Sequence, residues 1–199
     1  IDRKTTGESN QLEIDLDVFS YDTVKTGNGK TAIEFIDQTR VDVTQHSKLI
    51  IDEFVYDPAT ETGTSKTSFV QGVFSFVSGK IAKSGGDSMV VETPVASIGI
   101  RGTTVAGRAA QEGEQNTIAL LRDSDGGVGQ ITISNGAGVQ TLTQPGQAVT
   151  LSSFSQPPPP PVIIPVQQIQ QQFGTAIQTR PQQRSNDEQR REEQRQEQQ

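Results

Sequence analysis

The chain has 199 residues, of which 31% are apolar, and it carries a net charge of −7 at pH 7 with one histidine and no cysteine. The lack of cysteine excludes disulfides and thiolate metal sites, and the negative charge disfavours binding to nucleic-acid phosphates and to anionic membrane surfaces. No apolar run approaches the 18 residues that indicate a transmembrane helix.

Short segments in which apolar and polar residues alternate follow one another along most of the chain. The first, over residues 12–19, alternates apolar and acidic residues and predicts a half-buried strand. Further strands are expected over 31–36, 41–44, 48–56, 69–81, 89–108, 117–122, 130–134, 138–143 and 147–151. A polar loop is expected over 57–67. Strands at this spacing predict an all-β antiparallel sandwich or jelly roll, with a β-helix as the alternative.

The most informative motif begins at Thr93-Pro94. Pro94 has no N–H to donate to a β-ladder, so a strand should end near Thr93. Beyond the proline, alternate residues from 96 to 100 are apolar and should share one face of the next strand. Gly99 and Gly102 mark positions where a side chain would clash or where the strand must bend.

This motif identifies a family resemblance. Its residues resemble the Thr-Pro … Gly-x-Arg-Gly-Thr signature of the FecR domain, and they are Thr93, Pro94, Gly99, Arg101, Gly102 and Thr103. Segments similar to other parts of the family pattern occur at 22–27, 32–39, 47–52 and 69–81, so the resemblance covers roughly residues 12 to 110. It implies a non-enzymatic β-domain without a cofactor, located in the periplasm or outside the cell, whose partners are other envelope proteins.

Arg101 is the signature residue with two competing interpretations. In the functional one, its guanidinium binds a ligand carboxylate or an acidic group of a partner. In the structural one, the guanidinium bonds carbonyl groups at a bend in the sheet. The structural interpretation is favoured, because the motif resembles a fold signature more than a pocket.

Three other patterns were compared with nucleotide-binding and metal-binding sites. Residues 26–31 lack the first glycine of a nucleotide-binding P-loop, where Val24 stands, and a strand pattern follows instead of a helix. Asp123–Gly127 resembles the start of a Ca²⁺ loop, but Ser134 stands where an EF-hand needs a carboxylate, so a solvated turn is favoured over a loose Ca²⁺ site. His46 has no second histidine or cysteine with which to share a metal, and it is expected on the surface beside a turn. No catalytic or metal-binding residue is assigned.

The composition changes near residue 155. Five prolines at 157–161 predict a polyproline II spacer, and residues 167–199 contain 13 glutamines in 33 positions. Such a tail buries too little apolar surface to offset an ordering entropy of about 1–2 kcal/mol per residue, although Ile169 and Phe173 allow a short helix that would fray in isolation. The expected division is a lead-in over 1–11, a β-domain over 12–154, a proline-rich spacer over 155–166 and a disordered tail over 167–199.

The leading hypothesis for function is a protein-interaction or sensor module in envelope signalling, which binds partners by side-to-side β contact or by strand addition at a sheet edge. The alternative is a structural or cell-surface β-domain on a flexible Pro/Gln stalk. An enzyme is disfavoured, because the many acidic residues are typical of solvent-facing strand positions. The chain begins with Ile1 instead of Met, which predicts a processed product or a fragment that followed a signal peptide or an anchor.

Overall fold

The computed structural model describes residues 1–85 and 88–177, and the predicted tail beyond residue 177 lies outside the described residues. The strands are β1 (Asp2–Arg3), β2 (Asp22–Lys25), β3 (Thr31–Glu34), β4 (Arg40–Val43), β5 (Lys48–Asp57), β6 (Thr62–Val77), β7 (Met89–Thr93), β8 (Ala96–Arg101), β9 (Thr104–Ala109), β10 (Asn116–Leu121), β11 (Gln130–Asn135), β12 (Gly138–Leu142), β13 (Gln147–Leu151) and β14 (Val162–Ile163). A 3₁₀ helix spans Ile81–Lys83, and the α-helix α1 spans Val166–Ile177.

The strands form two sheets that share β6. Sheet I has the order β12-β11-β8-β7-β6-β5-β2-β1, and sheet II has the order β3-β4-β6-β9-β10-β13-β14. In the described part of the chain, neighbouring strands are antiparallel except β6 and β7, which run parallel because the connection after β6 returns the chain to the end at which β6 begins. The predicted all-β class is confirmed, as a mixed two-sheet arrangement and not as a purely antiparallel one or a β-helix.

Strand β6 crosses from one sheet to the other at Gly72. Its residues 62–71 pair with strands of sheet I, and its residues 72–77 pair with strands of sheet II. Gly72 has a φ of 111°, and the rings of Phe69 and Phe74 stack across the bend with their centroids 3.9 Å apart. A strand that bends in this way can join both layers of a sandwich.

The two sheets enclose one common core. Its largest fully buried side chains come from both inner faces and include Leu49, Ile51, Phe69, Phe74, Phe76, Met89, Ile98, Ile100, Ile118 and Leu120. Burial of each such side chain stabilises the fold by about 1.5–3 kcal/mol relative to exposure. The predicted buried face of alternate residues from Ala96 to Ile100 is confirmed.

The strand predicted over residues 12–19 is wrong, because no β-ladder forms there. Asp15 has a positive φ of 63°, and the Leu16 N–H donates to the Glu13 carbonyl at 3.4 Å, so the chain turns within this segment. Leu12, Leu16 and Val18 lie partly buried against the core, whereas Ile14, which stands in the same phase of the alternation, is 95% exposed. The alternation therefore predicted neither the backbone conformation of this segment nor a single buried side.

The polar loop predicted over 57–67 is a tight hairpin. Strand β5 continues to Asp57 and β6 begins at Thr62, so only a four-residue turn separates them. The Asp57 carboxylate accepts hydrogen bonds from the Ala59 N–H and the Thr60 hydroxyl, both at 2.9 Å. These bonds, the Ala59 bond above all, lower the pKa of Asp57.

The proline-rich segment packs along the sandwich. We call residues 155–163 the proline strap. The Asn135 amide donates to the Gln156 carbonyl at 2.7 Å, the Gln140 amide donates to the Pro158 carbonyl at 3.3 Å, and Pro158 is buried. The strap ends in β14, which pairs with β13. It therefore connects the edge of sheet I at β12 to the edge of sheet II at β13, and a free spacer is not observed here.

Helix α1 lies against the outer face of sheet II. Ile169 and Phe173 are 8% and 1% exposed, and they cluster with Ala106, Ala119 and Ala148 of the sheet. The small alanine side chains leave room for the helix to approach the strands closely. The five glutamines of the helix are exposed.

The expected end of the folded core near Phe154, with a disordered tail from residue 167, is therefore wrong for residues 166–177. The glutamines of the helix face solvent, but sheet II offers an apolar surface to the few aliphatic and aromatic side chains between them. A helix that would fray in isolation is stabilised by this tertiary contact.

We expect Phe173→Ala to destabilise the protein by about 3 kcal/mol, because it removes a buried aromatic side chain from the contact between α1 and sheet II. Gln170→Ala, at an exposed position of the same helix, is the matched control and should change the stability by less than about 0.5 kcal/mol. Urea denaturation of both variants measures the difference. Equal stabilities for the two would show that α1 does not contribute to the folded domain.

Candidate interaction site

The signature residues lie at the connections of β8. Strand β7 ends at Thr93, as predicted, and Pro94 and Val95 form the turn to β8. The Thr93 hydroxyl accepts a hydrogen bond from the Ala96 N–H at 3.1 Å and donates one to the Ala96 carbonyl at 3.0 Å. Both bonds close the turn, so this half of the motif is a β-hairpin with side-chain support.

The second half of the motif takes the chain from sheet I to sheet II. Strand β8 belongs to sheet I and β9 to sheet II, and only Gly102 and Thr103 separate them. Gly102 has a φ of 59°. Thr103 is buried, its N–H donates to the Ser78 hydroxyl at 2.7 Å, and its hydroxyl donates to the Leu121 carbonyl at 3.2 Å. Thr103 therefore ties the corner to the ends of β6 and β10.

Gly99 and Arg101 occupy the outward-facing positions of β8. Gly99 pairs with Val90 of β7 and with Thr132 of β11, in the interior of sheet I. Arg101 pairs with Gln130 at the end of β8, and its side chain is exposed. Of the predicted site residues, Arg101 is thus the one that presents a charged group to solvent, while its neighbours in the motif shape the sheet.

Two buried carboxylates of sheet II, Asp37 and Asp42, are engaged by hydrogen bonds within the protein. Asp37 accepts from the Thr39 N–H at 2.9 Å, the Thr39 hydroxyl at 2.7 Å and the Ile81 N–H at 3.3 Å. Asp42 binds the guanidinium of Arg40 through both carboxylate oxygens at 2.8 and 2.9 Å, which raises the pKa of Arg40. These contacts assign the two acids a structural role.

The Asp123–Gly127 turn uses its acidic side chains within the protein. Asp125 accepts from the Gly127 N–H at 2.8 Å, and Asp123 accepts from the Thr104 hydroxyl at 2.6 Å. Over residues 1–85 and 88–177, no group of three or more acidic or histidine side chains is arranged to hold a metal ion. The Asp125 side chain bonds to the backbone of its own turn, which matches the solvated turn predicted from the sequence.

A surface groove lies where β6 crosses between the sheets. We call it the crossing groove. It has a volume of about 480 Å³ and is lined by residues 44–46 before β5, residues 71–73 of β6, residues 108–109 at the end of β9, and residues 110, 111 and 114 after it. No sequence motif marks it, because its three lining segments are brought together only by the pairing of β6 with β9 and by the turn before β5.

The crossing groove is polar and carries both signs of charge. Arg108 and Glu114 are exposed on its lining, and no hydrogen bond or ion pair within the described ranges engages either side chain. His46 is exposed beside a turn, as predicted, and its carbonyl accepts from the Gln71 amide at 2.9 Å. Next to the groove, the Ser47 hydroxyl is buried and has no partner among the described residues.

Two glycines, Gly102 at the corner between β8 and β9 and Gly72 at the crossing of β6, are required for different reasons. At Gly102 a Cβ would meet no atom within 4 Å, so only the left-handed backbone disfavours a side chain. At Gly72 a Cβ would lie 2.0 Å from the Ser47 hydroxyl oxygen and 2.7 Å from the Ser47 Cα, in addition to the positive φ. The second position therefore excludes a side chain through both conformation and contact.

We expect Gly102→Ala to lower the free energy of unfolding by about 1–2 kcal/mol, because the left-handed conformation is unfavourable for an L-residue. Gly72→Ala should lower the free energy of unfolding by at least about 3 kcal/mol, because the strained backbone and the overlap with Ser47 act together. The free energies of unfolding in urea test this order. A larger loss for Gly102→Ala than for Gly72→Ala would contradict it.

None of the helices in the described part of the chain is long and apolar enough to cross a membrane. Two crystal structures of a proposed anti-sigma factor from Parabacteroides distasonis ATCC 8503, at 1.65 and 2.50 Å resolution, have the same fold with a TM-score of 0.55 and 12% sequence identity. Each match covers 74% of this chain and 62% of the other protein, so the chain spans less than two thirds of that protein's length. No curated protein matches the chain.

The FecR protein family model matches residues 22–124, which is more than half of the 199 residues. The matched range begins at β2 and includes the crossing of β6, the Thr93–Thr103 signature and the corner between β8 and β9. The resemblance inferred from the signature is therefore confirmed, and this chain belongs to the FecR protein family.

Proposed function

We propose that this chain is a non-enzymatic protein-interaction or sensor domain of an extracytoplasmic signalling system, in the periplasm or outside the cell. The observation that carries the proposal is the family match over residues 22–124. The anti-sigma factor assignment of the structural neighbour is consistent with a regulatory role, although at 12% identity that likeness shows the fold alone.

The surface of the sandwich supports binding to proteins. Strand β3 is an edge of sheet II, and no other described strand pairs with its outer side. Ile36, just beyond this strand, is 73% exposed. An open edge with an exposed apolar residue beside it favours strand addition by a partner segment, in which backbone hydrogen bonds supply affinity.

The alternative, a structural or cell-surface domain on a flexible stalk, rested on the prolines and the polar tail. The prolines are accounted for in part by the strap, which packs along β12. The tail beyond residue 177 lies outside the described residues. The stalk is therefore the weaker of the two proposals, and cell fractionation with affinity capture separates them.

The test uses the full chain, tagged, in cells of the source organism. We expect it in the periplasmic or secreted fraction, and we expect crosslinking to recover an envelope signalling protein with it. A cytosolic location would contradict the proposed compartment. Recovery of cell-wall material alone, without a signalling protein, would favour the structural alternative.

Arg101 provides a matched series for that capture experiment. Because its side chain is exposed, water screens the contacts that the guanidinium makes, and they are worth about 0–1 kcal/mol to the fold. We therefore expect Arg101→Ala to change the unfolding free energy by less than about 1 kcal/mol and to reduce partner recovery severalfold, with Arg101→Lys intermediate because an ammonium lacks the planar fork. A stability loss of about 2–3 kcal/mol with unchanged recovery would instead establish the structural role favoured by the sequence analysis.

A further inference from the structure

We propose that the crossing groove binds a carboxylate group presented by a peptide segment, with Arg108 as its cationic partner. This inference deepens the proposed function by naming the chemistry that the domain recognises, and it concerns a surface remote from Arg101. It depends on the composition of the groove, the availability of its charged groups and its place in the fold.

The crossing groove has the size of a ligand-binding cleft. Its volume of about 480 Å³ falls within the range of about 300–1,000 Å³ that is typical of small-molecule sites. The groove is open to solvent and is bounded by three chain segments, so an extended peptide can lie across it with one side chain inserted. Three glutamines contribute to the lining, Gln45, Gln71 and Gln111, and one amide N–H of Gln71 is already engaged by the His46 carbonyl.

The fold holds the backbone of Arg108 in place on the outer face of sheet II. This residue lies on β9, pairs with Val73 of β6, and has an exposed side chain. Ala106, two positions earlier on the same strand, contacts α1 on the outer face of sheet II. Side chains two residues apart on a strand share a face, so Arg108 continues this outer face beyond the helix. The two neighbouring strands fix its backbone, which leaves only side-chain freedom to be lost on binding.

The charges on the lining of the groove favour a carboxylate as its ligand. The guanidinium of Arg108 has no hydrogen bond or ion pair within residues 1–85 and 88–177, whereas Arg40 and Arg122 are both engaged. Its planar fork suits a carboxylate, which it can bind through two hydrogen bonds. Glu114 on the same lining makes the groove nearly neutral, which disfavours a phosphate dianion relative to a singly charged carboxylate.

The experiment follows the arginine Nε–Hε signals of the ¹⁵N-labelled full chain by NMR at low salt. The probes are acetyl-Gly-Glu-Gly-amide, its Gln counterpart and inorganic phosphate. We expect saturable shifts of the Arg108 signal with the Glu peptide, and at least tenfold weaker binding of the Gln peptide and of phosphate. Equal binding of the Gln peptide would overturn the carboxylate assignment, and tighter binding of phosphate would overturn the ligand class.

Three variants make the test specific, and the backbone amide spectrum verifies their folding. Arg108→Ala should weaken binding of the Glu peptide at least tenfold. Arg122→Ala removes the same charge at the opposite end of sheet II and should leave binding within twofold. Glu114→Gln removes a negative charge from the groove and should strengthen binding about two- to threefold at low salt. An equal loss of affinity for the Glu peptide in Arg108→Ala and Arg122→Ala would show that the peptide responds to net charge alone, and it would overturn the proposal.

Failure of this proposal is distinguishable from failure of the proposed function. Loss of peptide binding in the groove has no bearing on where the chain is located or on what it crosslinks to in cells. A signalling partner recovered equally by wild type and by Arg108→Ala would retain the proposed function and reject the groove as its recognition site.

Discussion

Gly72 lies directly against Ser47, and this contact allows β6 to pass from sheet I to sheet II. Any Cβ at Gly72 would overlap the Ser47 side chain, so the bend exists only without one. Because residues on both sides of the bend pair with four other strands, both layers of the sandwich depend on it. The stacked rings of Phe69 and Phe74 then fill the space inside the bend with apolar surface.

Several other connections of the sandwich are held by short polar side chains. Near Gly72, the Thr26 hydroxyl donates to the Thr44 carbonyl at 2.7 Å and accepts from the Ser47 N–H at 2.8 Å, which ties two connections together. At the other end, Asp37 and Thr103 perform the same task for the turns beside β6. The backbone groups that leave a ladder at each corner thereby find partners, as buried polar groups require.

The C-terminal segment completes the domain from outside the family match. The proline strap covers part of the edge at β12, β14 extends the edge at β13, and α1 covers the alanine-rich face of sheet II. Two of the open edges of the sandwich are thus protected by the chain itself, while the edge at β3 remains available to a partner. The crossing groove, with Arg108 and Glu114 on its lining, lies beyond the helix on the same outer face of sheet II.

Local sequence determined the β-class, the turn at Thr93-Pro94, the buried face of β8 and the family, because these depend on period-two alternation, on the missing N–H of proline and on glycine conformation. Tertiary structure alone decided three features. Alternation over residues 12–19 produced no strand, since a left-handed Asp15 turned the chain. Residues 166–177 folded into a helix because Ile169 and Phe173 pack on Ala106, Ala119 and Ala148, which lie far earlier in the chain. The crossing groove brought Arg108 to residues far away along the chain, a juxtaposition that strand pairing creates and that no local pattern encodes.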